Sequence, residues 1–257
     1  MSIQFDFLPQ VVAVFMLMFA RLGTLLMLLP AFGESSIPMR MRLTIALALT
    51  LVLYPMGSAY YPPNVTDNMA GLVVLFAGEL LIGFAVGLCA RLITTALSTA
   101  GMIMASQSGL AFALGTDMSN TGQQGALFGN FLSILGMTLV FVTDSHYLVI
   151  AALHDSFTLF PPGSPVPVGD FAANATQTVA AVFSIAVRMS APFIVVGIVF
   201  YFGLGLLNKL MPQMQIFFIA MPVNIMIGFF LLLVLLTTLM TFYLGHFEDA
   251  IGKFVAG

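Results

Sequence analysis

The sequence predicts an all-α fold, a membrane-associated bundle of long, kinked helices and helical hairpins. Three observations predict it. Apolar residues make up 60% of the chain and charged residues only 7%, where a soluble domain carries about a quarter charged residues. Uncharged runs recur through the chain at lengths that helices fill. No segment alternates apolar and polar residues with the period of two that a half-buried strand requires. With a mean hydropathy of +1.09, a water-facing surface would have almost nothing polar to cover it. The surroundings expected are lipid, other apolar protein, or both.

Six helical segments follow in order. Phe7 to Ala20 is uncharged, Arg21 interrupts, and apolar sequence resumes to Pro30. Leu43 to Thr66 is uncharged, and Pro55, Pro62 and Pro63 limit its helix to Leu43–Leu53. Leu72–Ala105 reads as one pattern with Glu79 and Arg91 inside it. Ala126–Leu159 is another, ended by Pro161 and Pro162. Phe171–Leu207 holds Arg188 and Pro192, and Ile216–Phe247 holds Pro222. At 1.5 Å per residue, Leu72–Ala105 extends about 50 Å, against a hydrocarbon thickness of about 30 Å. Phe171–Leu207 is longer still. Such segments either bend into hairpins, or stand partly outside the lipid, or run as tilted spans with helical extensions.

The same composition excludes several functions. Seven Lys+Arg exclude a nucleic-acid binder, which needs basic clusters. High hydrophobicity excludes disorder. The single cysteine, Cys89, excludes a disulfide framework and a cysteine zinc site. Residues 1–8 contain Asp6 and no basic residue, so they are not expected to be a cleavable signal. Arg40, Arg42 and Lys209 lie in connectors, and placing them inside puts the N-terminus outside. The three histidines, His146, His154 and His246, form no HExxH pattern, and no P-loop or nucleophile elbow is present. The expectation is a non-enzyme without cofactor or metal.

Four features could carry a mechanism. Arg21, Glu79, Arg91 and Arg188 lie inside apolar helices, where a mid-bilayer charge costs at least about 2.5–3.5 kcal/mol. They read as structural ion pairs within the chain or across subunits, because arginine does not cycle a proton near neutral pH. Glu79 is the one titrating candidate, with Arg21 or Arg91 as its partner. Gly83–Gly87 and Gly125–Gly129 are GxxxG motifs that suit close helix approach. Gly109 to Gly125 joins two long helices. Its apolar front, Leu110, Ala111, Phe112, Ala113 and Leu114, is framed by Gly109 and Gly115. That pattern fits either a hinged pore plug or an interfacial loop burying Phe112. Finally, there are 18 methionines, and Met211, Met214, Met221 and Met226 lie near Lys209. Most read as ordinary apolar packing.

The run from Gly203 to Gly228, with Pro212-Gln213, Met221-Pro222 and Asn224, resembles the C-terminal signature of the FliR family of export-gate proteins, flagellar FliR and injectisome SctT. Arg21 with Pro30, Ile37-Pro38, Arg40 and Arg42 is similar to the family's N-terminal pattern. So are Gly78–Gly83 and Gln107-Ser108-Gly109 to its central one. Asp144-Ser145-His146 stands where the family commonly has a Gly before the His, so no role for that His carries over. The resemblance covers nearly the whole chain. It implies a FliP-like part over residues 1–170 followed by a FliQ-like hairpin over 171–257, joined as one structural unit. It also implies a core subunit of the flagellar type III secretion export gate in the bacterial inner membrane, at the flagellar basal body. Part of that assembly would stand on the periplasmic side. One copy would join several FliP-like and FliQ-like subunits in a pore for unfolded substrates. The Gly109–Gly115 segment would plug the lumen. Lys209, Pro212 and Gln213 would lie at the cytoplasmic entrance near an FlhB-like component, with an FlhA-like component also among the partners. Energy would come from partners. The rival readings are an injectisome export-gate subunit, a stand-alone secondary transporter or channel, and a scaffold that never faces the pore.

Overall fold

A computed structural model describes residues 8–30, 32–33, 37–63, 65–66, 68–110, 126–211 and 216–255. Among these the chain is helical, without strands. The helices are α1 (Leu8–Leu28), α2 (Met39–Gly57), α3 (Met69–Gln107), α4 (Ala126–Val142), α5 (His146–Leu159), α6 (Val168–Leu210) and α7 (Ile216–Gly252), with a 3-10 turn at Ser58–Tyr60 after α2. Five helices are long and apolar enough to cross a membrane, or six spans if α4 and α5 count as one broken span.

The all-α expectation holds, with three differences in detail. The run Ala126–Leu159 is two helices rather than one. Asp144 takes φ 59°, a left-handed conformation that ends an α-helix and that a short polar side chain tolerates. This is the position where a glycine would adopt the turn freely. The Thr143 and Ser145 hydroxyls meet at 2.9 Å, and Ser145 donates to Glu248 Oε1 at 2.8 Å. Second, Pro55 does not end α2, which runs on to Gly57. A proline costs an internal hydrogen bond, but near a C-terminus the local 3-10 turn absorbs the change. Third, α3, α6 and α7 run unbroken for 39, 43 and 37 residues. Neither α3 nor α6 folds into a hairpin of its own.

The chain forms two compact units. The first comprises Met1–Ile93, Thr143–Thr178 and Phe247–Gly257. Its core gathers Leu17, Met18, Leu22, Leu25 and Leu26 of α1, with Phe157 of α5. α2 packs along α1. Gly83 sets how closely α3 meets α1: a Cβ there would lie 2.4 Å from the Arg21 carbonyl oxygen. The expected Gly83–Gly87 motif is therefore an internal crossing. The second unit comprises Thr94–Val142 and Val179–His246. Here α3 and α4 cross at Gly101 and Gly129, where a Cβ on Gly101 would stand 2.4 Å from Gly129 Cα. Phe128 packs edge-on against Phe229, ring centroids 5.3 Å apart.

Candidate functional site

In the first unit, one turn of α1, one of α3 and the C-terminus of α5 converge on a single guanidinium. Arg21 is 0% exposed and Glu79 is 1% exposed. Arg21 Nε and Nη2 both donate to the Glu79 carboxylate, the Nη2–Oε1 distance being 3.0 Å. This is the bidentate geometry that suits arginine and not lysine. The structure thus selects Arg21, not Arg91, as the partner of Glu79. Nη1 donates to the Ser156 carbonyl at 2.8 Å, and Nη2 also donates to the Phe160 carbonyl at 2.9 Å. Those carbonyls lie at the C-terminal end of α5, where the helix dipole is negative; the Ser156 carbonyl also accepts from the Phe160 N–H at 3.0 Å. The Phe157 ring covers the guanidinium at 4.6 Å. Four of the five guanidinium N–H groups thus meet acceptors within the fold, and such pairing is what lets a buried charge be tolerated away from water.

Tyr61, just past the 3-10 turn, closes the far side and is 7% exposed. Burial, then the nearby Glu79 charge, pushes its hydroxyl well above the ordinary phenol range. It remains a neutral phenol throughout the physiological range. With its carboxylate held by Arg21, this centre pins α1, α3 and the end of α5 together.

The second unit holds the start of the expected plug. Gly109 takes φ +70°, a conformation that glycine adopts without strain, and Leu110 is 6% exposed. Just before them, the Gln107 carbonyl accepts from Asn224 Nδ2 of α7 at 3.2 Å. Ser108 Oγ bonds back to the Met104 carbonyl at 2.7 Å. Gly197 of α6 and Gly228 of α7 leave room for the Gln107 and Ser108 side chains: a Cβ on Gly228 would lie 2.4 Å from Ser108 Oγ. A gap of about 10 Å³ remains among these residues, at the threshold for one water. Phe112, Leu114, Gly115, Pro212 and Gln213 lie outside the described residues.

The remaining expected residues are not brought to either place. Arg91 and Arg188 are exposed on α3 and α6, and Lys209 is exposed at the end of α6. Among the described residues, no group of three or more His, Cys, Asp and Glu could hold a metal ion.

Sequence reasoning missed Ser156, Phe160 and Tyr61, because two of them act through backbone carbonyls and carry no side-chain signature. It also missed the Asn224 contact, although Asn224 stood out as a polar residue in an apolar run, next to the quoted Pro222.

Residues 12–250 match the family model of bacterial export proteins, family 1. The chain is 40% identical to the flagellar biosynthetic protein FliR of Caulobacter vibrioides, over 93% of this chain and 94% of that one. It is 30% identical to the protein of the same name from Pectobacterium carotovorum, over 82% and 79% of the two chains. With that of Bacillus subtilis the identity is 26%, over 88% and 86%.

Proposed function

The chain belongs to the bacterial export proteins, family 1, and from that premise we propose that it is a core subunit of the flagellar type III secretion export gate. One copy joins several FliP-like and FliQ-like subunits in a pore through which unfolded flagellar subunits leave. The assembly sits in the inner membrane at the basal body, with part of it on the periplasmic side. An FlhB-like component engages it at the cytoplasmic entrance near Lys209, Pro212 and Gln213, and an FlhA-like component is also among its partners. The chain divides at 170/171 into a FliP-like and a FliQ-like part. It does no chemistry of its own.

One observation carries this reading: helices of 39, 43 and 37 residues keep large apolar side chains exposed along their length. On α6 these run from Val179 and Phe183 through Val195 and Val199 to Phe202 and Leu206. α6 extends about 64 Å at 1.5 Å per residue, about twice the hydrocarbon thickness. Lipid therefore covers only part of it, and neighbouring protein must cover the rest. The named relatives are flagellar proteins, which favours flagellar over injectisome use.

The segment from Leu110 to Leu114 is proposed as the lumen plug, hinged at Gly109 and Gly115. Support comes from its described start: a left-handed Gly109 leading out of a pinned helix end. Deleting residues 110–114 in the assembled gate should raise ion conductance across the inner membrane, read as dissipated membrane potential. Unchanged conductance rejects the plug. Co-purification tests the rest: the chain should bring down two small membrane subunits in fixed ratio. A stable, transport-competent monomer would instead establish the stand-alone transporter.

A further inference from the structure

Arg188 is the only charge on α6 between Asp170 and Lys209. It lies at the middle of the helix, about 30 Å from either end at 1.5 Å per residue. It is exposed, and among the described residues it has no ion-pair partner. Exposed apolar residues flank it on both sides, Phe183 and Val187 before, Val195 and Val199 after. Phe183 to Val199 spans about 24 Å at 1.5 Å per residue, so a hydrocarbon slab of about 30 Å that covers both flanks also encloses the Arg188 backbone.

Its surroundings form a seam. Ala181, Ser184, Arg188, Val195 and Val199 are exposed, with half-exposed Pro192 between. Their spacing is made of threes and fours, which keeps them on one face of the helix. Ala181 and Ser184 are small, so another backbone can come close. Pro192 has no N–H, so it cannot return the α-helical hydrogen bond to the Arg188 carbonyl. The middle of an apolar seam thus offers a cation and a spare acceptor, both costly to leave unpaired in an apolar medium. A hydrocarbon tail answers neither. A second copy packed through the same face would set Arg188 against Arg188, since the seam carries no carboxylate.

We infer that the face of α6 bearing Arg188 is an assembly surface for a helix of a different membrane subunit, one that places an Asp or Glu opposite Arg188. This rests on the reading that the chain works inside a hetero-oligomer. The test uses the full chain, expressed with its native export partners. A photocrosslinking residue at Val195, with Arg188 intact, should give an adduct with another membrane subunit. The crosslinked helix should contain a carboxylate. Arg188→Glu should lower that adduct, and the complex on a native gel, at least about tenfold. Changing the partner carboxylate to Lys should restore both. An adduct only with lipid, or with a second copy, overturns the inference. So does an Arg188→Leu chain that assembles as well as the unchanged one. In those cases the intact complex still supports the export-gate reading; if the unchanged chain recovers no partner at all, both fall.

Discussion

Arg21 and Arg188 are the same residue type, each inside a long apolar helix, yet their surroundings are opposite. Arg21 is 0% exposed and is held by a carboxylate, two carbonyls and an aromatic face. Arg188 is exposed, beside a proline that frees its carbonyl. The first charge is satisfied within the fold; the second has no ion-pair partner among the described residues. The contrast separates what the chain finishes by itself from what it leaves for a neighbour. Polar groups mark that boundary more sharply than apolar ones, because an exposed leucine accepts either lipid or protein.

The largest effect should come from breaking the finished region. Glu79→Ala leaves a buried guanidinium with its two strongest bonds gone, a change that costs about 3–5 kcal/mol. Total stability of a domain is about 5–15 kcal/mol. The variant chain should therefore be nearly lost from membranes, as read by immunoblot. The double variant Arg21→Leu with Glu79→Leu should accumulate better than either single change, because it removes the buried charge together with its partner. Equal loss in all three would mean that the pair is not the pin described above.

A smaller effect tests the packing around that pin. Gly83→Leu drives a side chain into the Arg21 carbonyl, and overpacking of this kind costs about 1–3 kcal/mol. Gly203→Ala, inside α6 with nothing within 4 Å, should be neutral to stabilising in the lone chain, by up to about 1 kcal/mol. Unfolding of the full chain in mixed micelles would measure both. If Gly203→Ala were neutral or stabilising there yet weakened assembly, the region around Gly203 would join Arg188 among the places left for a neighbour.

Much of this was legible from residue types alone. The long helices, the charges inside them and the Gly83–Gly87 crossing all follow from hydrophobic runs and small-residue spacing. Two things were hidden. Arg91 lies about 18 Å from Glu79 along the same unbroken α3, so it falls away once α3 is known not to fold back; the pairing with Arg21 depends on how α1 and α3 cross, and helical spacing gives no such long-range register. The carbonyls of Ser156 and Phe160 belong to every residue equally, so nothing in the residue types at those positions marks them. The break at Asp144, by contrast, has a mark in the sequence: Thr143-Asp144-Ser145-His146 is four polar residues inside an apolar run, and the left-handed Asp144 divides the segment there.

The smallest effect sharpens the comparison in the second unit. Asn224 donates one hydrogen bond to the Gln107 carbonyl at 3.2 Å, a neutral contact beside a gap of about 10 Å³. Hydrogen bonds between membrane helices average only about 0.6 kcal/mol. Asn224→Ala should therefore barely change unfolding of the chain, several-fold less than Glu79→Ala. Its consequence should appear elsewhere. The bond holds the last turn of α3, immediately before Gly109, where the proposed plug begins. Loosening that turn by a fraction of a kcal/mol leaves the fold intact but shifts how often the plug leaves its seat. The assembled gate should then leak ions slightly, well below the leak of the deletion of residues 110–114, with the chain present at its normal level. A stability loss as large as that of Glu79→Ala would show that α3 is pinned as firmly in the second unit as α1 is in the first. The contrast drawn between the two regions would then fail.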